Sequence, residues 1–167
     1  MKKMTEANLQ AAFAGESQAH MKYLAFAEQA RKEGLANIAR LFEATAFAEQ
    51  VHATNHLRVL SGVHDTVANL EAAKGGEDFE INEMYPAYKA VAEAQEEKQA
   101  LRSMSWALEA EKIHSQFYGA AQRQAEAKQD TAEKDIWVCT ACGFTGEGDM
   151  PDVCPICGAK HAKFRKF

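Results

Sequence analysis

"FAEQVH", residues 47–52, decides the fold, because it sets a glutamate and a histidine three residues apart on a stripe that is otherwise apolar. Positions i and i+3 of a helix share a face, so Glu49 and His52 project together. The stripe around them reads Ile38, Phe42, Thr45, Glu49, His52, His56, Val59, the spacing of a helix face turned inward. "LEAEKIH", residues 108–114, repeats the device, with Glu111 and His114 on the stripe Leu101, Met104, Leu108, Glu111, His114, Tyr118. Two more stripes carry inward glutamates without the histidine. Glu16 interrupts Leu9, Phe13, Glu16, His20, Tyr23, Ala27, and both Glu80 and Glu83 interrupt the start of a third helix in "EINEMYP", residues 80–86.

A buried carboxylate without a partner costs many kcal/mol, and several together raise one another's pKa. A polyvalent cation removes both costs. One Glu from each of two helices and Glu-x-x-His from each of the other two is the donor set of a carboxylate-bridged binuclear site in a four-helix bundle. Mixed carboxylate and imidazole ligands suit iron or manganese better than zinc or copper. Glu28, Glu33, Glu43, Glu93, Glu96 and Glu97 read as solvated charges, and His20, His56 and His64 as surface or supporting residues.

The periodicity predicts helices at about 5–33, 36–61, 79–98 and 100–128, with Thr5 as first N-cap and Gly34 and Gly62 closing the first two. "HDTVANLEAAKGGEDF" (64–79) reads as a loose connection, which suits a bundle with a crossover after its second helix. An internal repeat supports this plan: Glu16 maps onto Glu80 at an offset of 64, and Glu49 and His52 map onto Glu111 and His114 at 62. Each half is a helical hairpin carrying Glu and then Glu-x-x-His, with the bridging carboxylates drawn from the second and fourth helices. Glu83 has no counterpart, since the same offset lands on Ala19. Pro86 removes a backbone hydrogen bond and is expected to kink or loosen the turn that carries Glu83.

"KQDTAEKD" (128–135) has no apolar period and reads as a linker. Beyond it lie all four cysteines, as Cys139-x-x-Cys142-Gly and Cys154-x-x-Cys157-Gly around an 11-residue spacer. A tail of about 30 residues cannot build a stable core alone, and without an export signal paired Cys-x-x-Cys argues for a metal staple over disulfides. Spacing alone leaves zinc and iron both open. The N-terminal lysines have no apolar segment behind them, so no signal peptide is expected and the location expected is cytoplasmic. No run approaches the roughly 20 apolar residues of a membrane span. A net charge of −5 with scattered basic residues excludes a nucleic-acid surface.

In this order "GESQAH" (15–20), "FAEQVH", "EINEMYP", "EAEKIH" (109–114) and CxxCG…CPxCG resemble the rubrerythrins over the whole chain. The resemblance implies a ferritin-like di-iron four-helix bundle (1–130), a linker (131–135) and a compact rubredoxin-like four-cysteine iron domain (136–167). It implies two irons held by Glu16, Glu49, His52, Glu80, Glu83, Glu111 and His114, and a third held by Cys139, Cys142, Cys154 and Cys157. The activity it implies is reduction of hydrogen peroxide to water in oxidative-stress defence, with Glu83 and His52 exchanging as ligands as the irons change charge. Tyr23 and Tyr88 match tyrosines near the site. Implied partners are an electron-donor protein, a rubredoxin or a reductase, and a second copy in a head-to-tail homodimer that brings one chain's rubredoxin-like domain to its partner's bundle. An oxygen-consuming ferroxidase of the ferritin type is the competing reading, and the cysteine tail argues against it, because an iron store needs no one-electron relay. A zinc-stapled binding module is the third.

Overall fold

The computed structural model describes residues 1–167. In chain order it contains α1 (Lys3–Lys32), α2 (Ala36–Val59), α3 (Thr66–Phe79), a π-helical segment (Glu80–Met84), α4 (Tyr85–Ala94) and α5 (Lys98–Glu126). Three short strands follow, β1 (Ile136–Cys139), β2 (Thr145–Glu147) and β3 (Phe164–Lys166), with a 3-10 turn at His161–Lys163. By its internal contacts the chain divides into two compact units, Met1–His64 and Asp65–Phe167.

The first unit is the α1–α2 hairpin. Its seam is built from small residues: Ala27 and Ala30 of α1, and Ala39, Ala46 and Ala53 of α2, are buried. The α2 alanines recur every seven residues, which keeps one narrow face against the neighbouring helix and lets the backbones approach closely. The turn between the helices closes on Gly34 at φ +78°. There the Leu35 N–H donates to the Ala30 carbonyl at 2.8 Å, satisfying one of the last carbonyls of α1. His20 adds a cross-tie, its Nδ1 lying 2.8 Å from the Ala46 carbonyl. A carbonyl only accepts, so Nδ1 carries the hydrogen.

Two expected boundaries shift. Thr5 lies inside the first turn, because α1 begins at Lys3. Helix α2 ends through Ser61, at φ 57°, rather than through a left-handed Gly62. Gly62 lies beside Leu57: a Cβ there would fall 2.3 Å from Leu57 Cδ1 and move that side-chain end, while the Gly62 N–H caps the Leu57 carbonyl at 2.9 Å.

The second unit corrects the reading of residues 64–79 as a loose connection. From Thr66 the chain is helical, started by Asp65, whose side chain accepts the Ala68 N–H at 2.9 Å. Gly75 and Gly76 inside this helix cost about 1 kcal/mol each relative to alanine, which is why the stretch reads as a break. Packing of α3 on α5 outweighs them. Ser115 donates to Asp78 at 2.6 Å, and Gly119 leaves room for the Lys74 stem, which would lie 3.3 Å from a Cβ there. The long irregular crossover is therefore absent, and residues 60–65 lead directly from α2 into α3.

Residues 66–94 run on as one rod, interrupted only by the π segment at "EINEM". There the Tyr85 N–H donates to the Glu80 carbonyl, five residues back, in place of the α bond. Pro86 sits at the start of α4, where its missing N–H leaves a carbonyl one turn back without an α-helical donor. The third helix expected at 79–98 is thus the last part of a longer rod, ending at Ala94.

After α5 the chain forms a three-stranded antiparallel sheet of order β2-β1-β3. Trp137 fills its centre, edge-on to Phe164 at 5.2 Å and tilted against Phe144 at 6.0 Å. No helix is long and apolar enough to cross a membrane.

Candidate metal centres

The loop after β1 and the turn at 154–157 bring four sulfurs together. Cys139 and Cys157 Sγ lie 3.7 Å apart, Cys142 and Cys154 Sγ 3.6 Å, and all four fall within 4.8 Å of one another. A tetrahedral ion with metal–sulfur bonds of about 2.3 Å requires sulfur–sulfur edges of about 3.8 Å, so the cage has the size of such an ion. Gly143 and Gly158, at φ +82° and +75°, supply the left-handed turns that bring each Cys-x-x-Cys back on itself. Burial pushes the Cys142 thiol far above its ordinary range. Burial raises Cys154 as well, yet the N–H groups of Cys157 and Ile156 aimed at its sulfur bring it below that range. Burial likewise raises the Cys157 thiol, so Cys142 and Cys157 become thiolates readily only when a cation is present to bind them.

Each unit also carries a carboxylate–imidazole trio. In the first, Glu16 of α1 meets Glu49 and His52 of α2, their ligand atoms within 4.8 Å. His52 Nδ1 is 2.8 Å from Glu49 Oε2. In the second, Glu111 and His114 of α5 stand together, with His114 Nδ1 2.7 Å from Glu111 Oε2. The carboxylate that joins them within 4.8 Å is Glu77, whose Oε1 lies 3.8 Å from the same nitrogen. Burial, then the charge of Glu111 and a hydrogen bond to it, push Glu77 up to about 7. Glu80 borders the trio: burial and the Glu111 charge raise its pKa, opposed by His114.

Several sequence-predicted residues therefore converge and others stand apart. Glu16, Glu49 and His52 group as one set, and Glu111 and His114 as part of the other, with Glu80 beside them. Glu83 lies in the π segment outside both trios. Tyr23 packs with Phe26 and Phe42, ring centres 6.2 Å away in each case. Tyr88 is half exposed on α4. Sequence reasoning missed Glu77, although Glu77, Glu80 and Glu83 recur at i, i+3, i+6 and so begin a single face one turn earlier. It also passed over Tyr85 and Tyr118. Burial raises both phenols, and the charges of Glu77 and Glu111, with Glu80 for Tyr85, hold them protonated beside the carboxylates.

Comparison with known proteins matches this arrangement. The family described as Rubrerythrin aligns with residues 7–122, and the rubrerythrin rubredoxin-like domain with residues 137–165. The chain belongs to the rubrerythrin family. It is 41% identical to rubrerythrin-2 of Clostridium acetobutylicum, covering 98% of this chain and 97% of that one. It is 34% identical to a rubrerythrin of Nitratidesulfovibrio vulgaris, covering 96% and 92%, and 37% identical to nigerythrin of the same organism, covering 90% and 80%. Among solved structures, fully reduced, all-ferrous nigerythrin superposes with a TM-score of 0.57 at 33% identity, over 98% of this chain and 86% of that one. The rubrerythrin resemblance and the fold class expected from the motifs both hold: a mainly helical chain with a small four-cysteine strand region at its end. The cofactors follow with them, a di-iron centre and one iron in the four-cysteine site. Membership places the chain in an oxidoreductase family.

Proposed function

We propose that the chain is a non-haem di-iron peroxidase that reduces hydrogen peroxide to water in oxidative-stress defence, with electrons relayed through its four-cysteine iron. The observation that carries this reading is the presence, in one chain, of two carboxylate–imidazole trios and a cage of four sulfurs sized for a single ion. An iron store would use the first and has no need of the second. Residues 1–130 serve as the di-iron part, 131–135 as linker and 136–167 as the electron-entry domain.

Glu16, Glu49, His52, Glu80, Glu83, Glu111 and His114 would hold the iron pair, and Cys139, Cys142, Cys154 and Cys157 the single iron. When bound, the pair supplies the two electrons that, with two protons, convert peroxide to two waters. The protein's part is to hold charge and deliver protons. Glu49 and Glu111 stand beside Nδ1 of His52 and His114, at 2.8 and 2.7 Å, so that each pair presents its donor atoms to one point. Tyr85 and Tyr118, kept as neutral phenols by burial and then by adjacent carboxylates, are donors for a hydrogen bond or a proton. Tyr23 and Tyr88 are assigned the same duty on the strength of the family match. With the pair bound, Glu83 and His52 would be its alternative ligands, the anionic carboxylate suiting the more oxidised state. The π turn under Glu83 supports this role, since π turns inside α-helices frequently mark functional sites.

The physiological partners on this reading are an electron-donor protein, a rubredoxin or reductase, and a second copy of the chain in a head-to-tail dimer in the cytoplasm. Phe47 and Val51, one turn apart and exposed on α2, offer an apolar strip for self-association. The test is metal analysis of the full chain with an optical spectrum, then mixing of the reduced protein with peroxide and, separately, with oxygen. Three irons per chain and faster reoxidation by peroxide are expected. Zinc on the cysteines, or a preference for oxygen, overturns the reading.

A further inference from the structure

His114 uses both ring nitrogens, and the second leads to the four-cysteine lobe. Nδ1 faces Glu111 Oε2 at 2.7 Å, while Nε2 lies 2.8 Å from Thr145 Oγ1. Thr145 begins β2, three residues after Cys142, and is 7% exposed. Its Oγ1 is also 3.0 Å from the Gly143 carbonyl, in the turn that follows Cys142.

Donor counting fixes the hydrogens. The Gly143 carbonyl can only accept, so the single hydroxyl hydrogen of Thr145 goes there. Towards His114 the same oxygen is therefore an acceptor, and Nε2 carries the ring hydrogen. In the neutral imidazole this leaves Nδ1 bare, its lone pair aimed at Glu111. Two lone pairs at 2.7 Å need a positive charge between them, a proton in the metal-free chain or a metal ion in the loaded one.

We propose that Thr145 is a positioning residue for the bundle metal: by accepting Nε2–H of His114 it selects the imidazole tautomer whose Nδ1 ligates, and it ties that ligand to the Cys142–Gly143 turn of the same chain. The inference rests on His114 being a metal ligand. It adds a functional coupling that the cysteine spacing and the helix stripes do not reveal. A histidine ligand gains basicity and a fixed ring plane from the acceptor on its far nitrogen. Here that acceptor belongs to the loop that carries two of the four cysteines. The four-cysteine lobe thus meets a di-iron ligand of its own chain through a hydrogen-bonded path that runs from the Gly143 carbonyl, in the turn after Cys142, through the Thr145 hydroxyl to the His114 ring.

The test uses the full-length iron-loaded chain and its Thr145→Val, Thr145→Ser and His114→Ala variants. Bundle-site affinity is read by competing Fe(II) or Co(II) against a chelator, and the visible absorption of the four-cysteine iron shows that the lobe is folded. Thr145→Val is expected to weaken the bundle site at least about tenfold with the lobe absorption retained, and Thr145→Ser to restore it to within about twofold. Wild-type affinity in Thr145→Val, or no rescue by serine, overturns the proposal. If Thr145→Val loses the lobe absorption, Thr145→Ala, which removes the hydroxyl without added bulk, is measured in its place. Loss of the absorption in both makes Thr145 a purely structural residue and overturns the proposal as well. His114→Ala separates the two levels: full bundle metal in that variant defeats the ligand assignment itself, whereas its loss beside an unaffected Thr145→Val defeats only the role of Thr145.

Discussion

The carboxyl groups of Glu77 and Glu111 stand within 4.8 Å of each other across the α3–α5 pair, where burial and the Glu111 charge favour a proton on Glu77 in the metal-free chain. Glu77 holds it up to about pH 7, whereas in the unfolded chain it titrates near 4.5. Between those values the folded state binds more protons than the unfolded one, so stability falls as pH rises. Metal-free protein is therefore expected to melt at a lower temperature at pH 8 than at pH 5. Glu77→Gln should remove its share of that slope, a difference of up to a few kcal/mol and several degrees. Thermal melts of both proteins followed by helix circular dichroism decide it, and parallel curves would show that Glu77 does not carry the proton.

Gly146 stands opposite Trp137 in the β1–β2 pair, and a methyl group at 146 would fall 2.2 Å from the indole ring. The obstacle is a packed ring rather than a flexible side-chain end, so Gly146→Ala must displace Trp137 from Phe164. Overpacking of this kind costs about 1–3 kcal/mol, a large fraction of what so small a lobe possesses. The expected result is faster loss of the four-cysteine iron to a chelator, followed by its visible absorption, with helix content unchanged.

The same economy predicts the effect of removing the metal. About 30 residues around one tryptophan bury too little apolar surface to fold unaided, so the free energy of metal binding is folding free energy for this lobe. Stripping the ion from the sulfur cage should abolish the near-ultraviolet dichroism of Trp137, while α1–α5 retain their helical signal. Retention of a native Trp137 signal in the metal-free chain would mean that the sheet stands on its own packing.

What could be read from the residues alone follows the strength of each local signal. Glu49 with His52 and Glu111 with His114 were legible because i, i+3 spacing within one helix fixes their geometry before any tertiary contact forms. The cysteine lobe was legible for a similar reason, its ligands lying close in sequence. Helix α3 was not, since Gly75 and Gly76 oppose it locally and only packing against α5 overrides them. Gly62 misled in another way: the left-handed turn expected of a glycine is made by Ser61, one residue earlier. Glu77 was not legible because it precedes the helix expected from residue 79 and belongs to α3, the helix that local propensity hides. The contact of Thr145 with His114 joins residues 31 apart and had no signal in the sequence at all.

Pro86 gives the last prediction. The π turn at Glu80–Met84 sets the angle at which Glu80 and Glu83 leave the rod, and Pro86 at its end supplies no N–H to restore the α pattern. In Pro86→Ala a donor returns beneath the π turn and the ring's clash with the preceding carbonyl disappears, so the α alternative gains stability relative to the π one. Relaxation to α geometry would swing Glu83 around the helix axis by up to about a quarter of a turn, the rotation of one residue, and take it away from any ion it serves. The variant is therefore expected to be at least as stable thermally as the parent and to keep its iron, yet to be reoxidised by peroxide severalfold more slowly. Stopped-flow reoxidation of the reduced protein measures this directly. Peroxide kinetics unchanged by the substitution would remove Pro86, and the π turn it borders, from the account of how Glu83 works.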